Sequence, residues 1–248
     1  MTESDKKKIE EQDLNTYEGI AEHYDTLMTD GYYDYDEISK NLCAIIGERR
    51  KLMELGVGTG LVADNLLKAN PDFKITGVDN TPAMISQAKE KLGDRIAYEL
   101  QDITKLSIDT RFEAAFSVGG CWYFIDNGPD KELEFCSHID DLETSKQGLK
   151  NVAEHLEKGG VLALALQAPH TNYSKELSNE LTYSQEIFKE DNGFTKHYSF
   201  TSTQGVIAEQ FYRYLVLPES EVHDFFKELD CKPLGLCPSR NFFVYQKN

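Results

Sequence analysis

Between residues 51 and 166, short apolar runs alternate with amphipathic segments, and the first junction between them reads Glu54-Leu55-Gly56-Val57-Gly58-Thr59-Gly60. No other feature constrains the fold as strongly. Lys51 to Leu55 reads as a short buried strand and Leu61 to Lys68 as a helix. Asn70-Pro71-Asp72 breaks the pattern, and Phe73 to Val78 is a second strand. Thr81 to Leu92 reads as a helix with Pro82 near its start, where proline is tolerated. Ile96 to Leu100 and Phe112 to Val118 are the third and fourth strands. Leu149, Val152, Ala153 and Leu156 recur at helical spacing, Gly159-Gly160 is expected to end that helix, and Val161 to Leu166 is a fifth strand. Strands that alternate with helices build βαβ units. Right-handed crossovers then place helices on both faces of a mainly parallel sheet, so the fold class is α/β.

The flanks are less regular. Ile9 to Leu27 reads as one or two helices carrying Tyr17, Ile20, Tyr24 and Leu27 on one side, and the polar stretch Met1 to Gln12 before it as a mobile end. A tyrosine-rich turn follows at Asp30 to Tyr35, then a helix with Ile38, Leu42, Ile45 and Ile46 on one face. After Pro169 the texture changes. Residues 171–205 are polar and aromatic, with Tyr/Phe alternation around Lys196 to Phe200. We read them as an insertion, a helix plus antiparallel strands, that caps the sheet's ligand edge. The end returns to pattern with a strand at Gln210 to Leu217, a helix bearing Val222, Phe225, Phe226 and Leu229, and a strand at Asn241 to Gln246 able to pair antiparallel. The expectation is one domain over 1–248, with residues 1–50 as a helical lid region and 171–205 as a cap.

Composition excludes several partners. Lys and Arg number 26 against 43 Asp and Glu, a formal net charge of −17. Such a chain repels phosphate backbones and anionic lipid, so neither nucleic acid nor membrane is the expected partner; a small molecule is, with the chain a monomer or homodimer. The N-terminus lacks the apolar core of a signal peptide, and no apolar run approaches the length of a membrane span. The five cysteines are scattered, with no C-x-x-C pair, so no metal site is expected and a reducing cytoplasmic setting fits.

Three motifs carry chemistry. Glycines between a strand and a helix let backbone approach a ligand at the carboxyl edge of the sheet. The spacing is G-x-G-x-G, and position 61, where a dinucleotide fingerprint has its third glycine, is leucine. Glu54, two residues before the first glycine, would repel a pyrophosphate and suits a positively charged group. Asp79, closing the second strand ahead of Asn80 and Thr81, can accept two hydrogen bonds from a ribose diol or cap the next helix. Gln101-Asp102-Ile103 follows the third strand, where Asp102 can accept from the exocyclic amine of adenine or serve a surface turn.

Together these residues resemble the class I S-adenosylmethionine-dependent methyltransferase family, small-molecule type. The resemblance rests on Glu54 to Gly60, Asp79 with Met84 in the following helix, Asp102-Ile103, Leu156 to Gly160, and Tyr17-Glu18-Gly19-Ile20-Ala21-Glu22-His23-Tyr24-Asp25. It implies a Rossmann-like fold, a seven-stranded mainly parallel sheet with helices on both faces, its last strand antiparallel, and a polar/aromatic insertion after strand 5. The implied cofactor is S-adenosyl-L-methionine. Carried over by position, Gly56, Gly58 and Gly60 approach its methionine part, Glu54 holds the loop or meets the amino group, Asp79 with Asn80 takes the ribose, Asp102 the adenine amine, and Met84 and Ile103 pack on the purine. Tyr17 and Tyr24 close over the methionine end, or pack as ordinary core.

Methyl transfer from a sulfonium is an in-line displacement that asks mainly for alignment and exclusion of water. Candidate catalytic residues are His170, a base near neutral pH, and Tyr24; His138 is a weaker base candidate. Trp122, Tyr123 and His170 are candidates for lining the acceptor, with Tyr33 among the lid tyrosines, and each has an alternative as a core or loop residue. The segment after the fourth strand, Ser117-Val118-Gly119-Gly120, lacks the D/N-P-P-Y pattern of enzymes that methylate bases or glutamine. The expected reaction is therefore methylation of a small metabolite, an amine ahead of a hydroxyl. A nicotinamide-dependent oxidoreductase, a protein methyltransferase and a non-catalytic cofactor-binding regulator are the competing readings.

Overall fold

A computed structural model describes residues 16–248. The mobile end expected at Met1 to Gln12, and the start of the helix expected from Ile9, lie outside the described residues. The chain forms a Rossmann-like mixed sheet flanked by helices. Strands β1 (Lys51–Leu55), β2 (Lys74–Asp79), β3 (Ala97–Leu100), β4 (Phe112–Ser117) and β7 (Leu156–Gln167) lie in the order β3-β2-β1-β4-β7, all parallel. β13 (Phe242–Lys247) pairs antiparallel to β7, and β12 (Cys231–Leu236) pairs antiparallel to β13, completing seven strands.

Period-two burial explains the layers. Leu52, Ala114, Val161 and Ala163 face a core shared with α2 (Tyr35–Ile46), α3 (Leu61–Ala69) and α4 (Pro82–Leu92). Met53, Leu55, Ala115, Leu162 and Leu164 face the opposite core, closed by α5 (Leu142–His155) and α6 (Glu219–Glu228). Local signals fix the helix starts. Asp34 accepts the N–H of Glu37 at 2.9 Å to cap α2, and Asp141 accepts the N–H of Thr144 at 2.8 Å to cap α5.

A second, antiparallel sheet covers the carboxyl edge of the first. It runs β5-β6-β11-β10-β9-β8, with β5 (Trp122–Ile125), β6 (Glu134–Ser137), β8 (Tyr173–Glu176), β9 (Thr182–Glu190), β10 (Gly193–Ser202) and β11 (Gly205–Pro218). The long β7 belongs to both sheets, pairing β5 through Phe124/Leu166 and Ile125/Gln167. The N-terminal α1 (Ala21–Thr29) and the 3-10 turn before it pack beneath this layer, burying Ile20, Leu27 and Met28 with Tyr183, Tyr198 and Tyr214.

Four expectations are corrected. Residues 171–205 contain no helix; they are strands that continue into β11. Gln210 to Leu217 is not the sixth strand of the main sheet but the far end of that same layer, and the sixth strand is Cys231–Leu236. Its Pro233 and Gly235 hide it in the sequence; at an edge with a register shift, neither breaks the pairing. α5 ends at His155 rather than at the glycine pair. Gly159, at φ +80°, makes a bulge inside β7, and a Cβ on Gly160 would stand 2.8 Å from the Glu157 carbonyl. Finally, Trp122 to Ile125 is a strand rather than a loop. No helix of the described residues is long and apolar enough to cross a membrane.

Candidate active site

A cleft of about 230 Å³ opens at the carboxyl ends of β1 to β4. The loop after β1 forms its floor. Gly56 and Val57 both donate to the Val78 carbonyl, at 2.9 and 3.0 Å, which clamps the loop against β2. Gly56 sits at φ +69°, and a Cβ there would lie 2.8 Å from the Gly120 Cα, so its bareness serves the loop after β4. Gly58 differs. At φ +54° its Cβ direction is open, the nearest atom being a Tyr24 ring carbon at 3.9 Å. This is the point where backbone faces the cleft with room for a ligand. Gly60 caps α3 against Leu92 and lies off the lining.

The acids stand around this floor. Asp79 accepts the Gly58 N–H at 2.8 Å and the Thr81 N–H at 2.9 Å, so its carboxylate ties both loops while bordering the cleft. Burial pushes the Asp79 carboxyl up, against the pull of those N–H groups. Asp102 accepts from Thr104 N and Oγ1 at 2.9 and 2.7 Å and also lines the cleft. Both acids thus adopt the turn-capping geometry that the sequence allowed, with further lone pairs facing the lining. Glu54 is 3% exposed, and its Oε2 has no hydrogen-bond partner. Burial, then the Asp79 charge, push its carboxyl well up. Glu54 lies off the cleft lining, beneath the glycine loop, and the unpaired oxygen of this buried carboxyl suits a cationic or hydrogen-donating group that reaches the loop.

α1 is laced onto the loop. Asp25 takes the Thr59 hydroxyl and Lys91 Nζ (2.5 Å), and Lys91 also donates to the Thr59 carbonyl at 2.9 Å. Gln87 donates to the Ala21 carbonyl at 2.8 Å. This places Tyr24 against Gly58 and Tyr17 over the cleft. Burial, then Asp79, Asp25 and Glu54, hold the Tyr24 phenol up, so it stays protonated and can donate but not act as a base near neutral pH.

Past the glycine loop the cleft turns aromatic. Tyr17, His138 and Tyr212 line it, and the Tyr17 hydroxyl lies 3.5 and 3.4 Å from those of Tyr198 and Tyr214, themselves 2.8 Å apart. His138 packs on Tyr212 and Tyr214 with ring centroids at 4.9 and 4.7 Å. Burial, then His170 and Lys196, lower His138 to about 3, so the imidazole is neutral and costly to protonate. Cys121 also lines the cleft, and burial with Asp79 and Asp102 nearby keeps it a thiol.

The other candidates divide. Asn80, Met84 and Ile103 border the cleft with Asp79 and Asp102. His170 does not. It bonds the Tyr123 hydroxyl at 2.7 Å and borders two neighbouring depressions, and burial with Lys196 nearby lowers it to about 3. Tyr33 accepts from Gln167 Nε2 at 2.8 Å and stands where a Gly119 side chain would be, at the wall between the cleft and an outer cavity. Trp122 is corrected as an acceptor residue. It is fully buried, donates to Ser145 Oγ at 3.1 Å and presses on Gly148 of α5. Strand alternation sends Trp122 and Phe124 into the main core and Tyr123 and Ile125 under the second sheet. The residues missed, Lys196, Tyr198, Tyr212 and Tyr214, were legible only as an alternating inward row on β10 and β11. Among the described residues no group of His, Cys, Asp and Glu suits a metal.

Residues 52–160 match a family model described as a methyltransferase domain. The malonyl-[acyl-carrier protein] O-methyltransferase 1 of Ilyobacter polytropus is 26% identical over 174 residues, 64% of this chain and 58% of that protein. The chain thus spans little more than half the length of that curated relative. Among solved structures, an S-adenosylmethionine-dependent methyltransferase from Clostridium acetobutylicum superposes with TM-score 0.71 at 19% identity, covering 94% of this chain and 99% of that one. CalS10, an amino pentose methyltransferase from Micromonospora echinaspora, superposes with TM-score 0.68 at 14% identity, over 91% and 96%. At these identities the superpositions speak for the fold, and the domain match speaks for the sequence. Residues 52–160 thus match a methyltransferase domain, and the chain has the fold of the S-adenosylmethionine-dependent methyltransferases on which it superposes.

Proposed function

We propose that this chain transfers the methyl group of S-adenosylmethionine to a small-molecule acceptor, an amine in the first instance. The observation that carries this reading is the fit of the cleft to that cofactor. Gly58 offers open backbone to the methionine end, Asp79 and Asn80 line the place of the ribose, Asp102, Met84 and Ile103 line that of the purine, and Glu54, buried beneath the loop and off the lining, keeps an unpaired oxygen for a donor that reaches the loop. A lining with Asp79, Asp102 and Asp140 opposes a pyrophosphate and suits a cation. When bound, the cofactor supplies a methyl group on a positively charged sulfur.

The protein's own part is alignment and exclusion of water. Tyr24 and Tyr17 cover the donor end, and the rings of Tyr17 and Tyr212 shelter positive charge. A neutral His138 can accept a hydrogen bond from the acceptor's N–H and so orient its lone pair, while the methylated ammonium keeps its proton until it leaves for solvent. His170 takes a positioning role through Tyr123. The second sheet and the segment around Tyr32 and Tyr33 act as cap and lid. The relative CalS10, named for an amino pentose, supports an amine; the relative named an O-methyltransferase keeps an oxygen acceptor as the second reading.

The test is transfer of label from methyl-tritiated S-adenosylmethionine into a cell extract split by size. Label in the small-molecule fraction supports the proposal, and its position on nitrogen or oxygen decides the acceptor. Label confined to protein or nucleic acid, or no transfer at all by protein that binds the cofactor, overturns it.

A further inference from the structure

β10 sends one row of side chains inward: Phe194, Lys196, Tyr198 and Phe200, all buried. Three are aromatic and one is a lysine with no exposed surface. Antiparallel register sets Lys196 opposite Tyr212 of β11 and Ile187 of β9. Its Nζ donates to the Tyr32 hydroxyl at 3.2 Å and sits 4.4 Å from the centre of the Tyr198 ring. Among the described residues it forms no ion pair. Its titratable neighbours are Cys136 on β6, Tyr198 on its own strand, Tyr32 on the lid segment, and the imidazoles of His138 and His170.

A buried amine without a carboxylate is costly, and evolution or design replaces such a group easily with an apolar one of the same length. In a chain of net charge −17 the missing counter-ion is conspicuous, because carboxylates are abundant everywhere else. The chamber between the cofactor cleft and the second sheet instead holds two neutral imidazoles, tyrosine hydroxyls and this amine. Tyr32, which receives the Lys196 hydrogen bond, also borders an outer cavity of about 360 Å³ together with Tyr33, Gln167, His170 and Gln185. Lys196 is therefore one side chain away from a space that a small molecule can enter.

We propose that Lys196 is the anion-binding residue of the acceptor chamber and receives a carboxylate carried by the methyl acceptor. The acceptor's carboxylate supplies the negative partner that the fold withholds, and its aromatic walls exclude the water that would otherwise compete. A compact, planar carboxylate suits an amine enclosed by rings. This inference rests on the methyl-transfer reading, since it names a property of that reaction's acceptor.

The experiment uses full-length protein with lysines labelled at the ε-carbon, saturated with S-adenosylhomocysteine, and observed by NMR. The Lys196 signal is assigned by its loss in K196M. Acetate, benzoate, neutral benzamide and inorganic phosphate are the probes. Expected is movement of the Lys196 signal toward that of a charged amine with acetate or benzoate, benzoate binding about tenfold tighter than benzamide, and loss of that preference in K196M. Should K196M fail to fold, K196R replaces it, and the wild-type signal shift alone still decides. An unmoved Lys196 signal with both carboxylates, an equal preference in the variant, or movement by phosphate alone overturns the proposal. Failure to bind S-adenosylhomocysteine is a separate result and counts against the methyl-transfer reading itself.

Discussion

Replacing Lys196 with methionine should stabilise the fold, and by an amount that depends on pH. Burial lowers the amine from 10.5 to about 7. Below about pH 7 the folded chain holds a charge that the unfolded chain holds more comfortably. At roughly 1.4 kcal/mol for each pH step between those values, the full cost is about 5 kcal/mol. Methionine keeps the length and apolar stem, and it forfeits the bond to Tyr32 and the contact with the Tyr198 ring, about 1 kcal/mol each. The net gain is about 3 kcal/mol near neutral pH.

The sign follows from proton counting. Between about pH 7 and 10.5 the unfolded chain binds the Lys196 proton and the folded chain does not, so wild-type stability gains from this residue as pH rises. K196M lacks that gain. The gap between the two proteins is therefore widest at or below about pH 7 and closes toward 10.5, whatever the other groups do, because both chains share them. Urea unfolding of both at about pH 7, 8.5 and 10 measures it. A variant less stable than wild type at about pH 7, or a gap that does not change with pH, refutes the reasoning.

Gly58→Ala should cost about 1–2 kcal/mol of stability for its left-handed backbone while abolishing S-adenosylhomocysteine binding, since its Cβ enters the cleft; thermal shift with and without ligand reads both. Gly56→Ala should cost more, because its Cβ meets backbone at Gly120. Trp122→Ala should lose about 3–5 kcal/mol by denaturant unfolding, with cofactor affinity unchanged in the folded fraction. His138 titrates at 6.5 unfolded and about 3 folded, so it contributes stability above pH 6.5 that is lost as pH falls toward 3; His138→Gln should flatten the acid limb of the stability profile by up to about 1.4 kcal/mol per pH step.

The parallel half of the molecule was legible because buried parallel strands read as unbroken apolar runs and helices between them as period-3.6 stripes. The glycine loop and the two acids were legible because their spacing is dictated by the junctions they occupy. What escaped was set by contacts distant in sequence. Whether Trp122 or Tyr123 faces the chamber depends on the register of β5 against β7, and a shift of one residue exchanges them. Gly159-Gly160 reads as a helix stop and Pro233 as a strand breaker, yet a bulge and an edge absorb them. In the sequence Lys196 stands only at one end of an aromatic alternation. That it lies inward with the rings follows once the same period of two is carried through the lysine.

Calorimetric titration with S-adenosylmethionine, S-adenosylhomocysteine and NAD, on wild type and on Asp79→Ala, tests the central claim most directly. Asp79 makes two charge-assisted bonds to the loops, and with a bound ribose would make two more, each worth about 1.5–3 kcal/mol. The account predicts micromolar binding of the two adenosyl ligands to wild type, at least about a hundredfold weaker in the variant, and no binding of NAD. Binding of NAD alone, or of none of the three, contradicts it and leaves the cleft a site for another ligand.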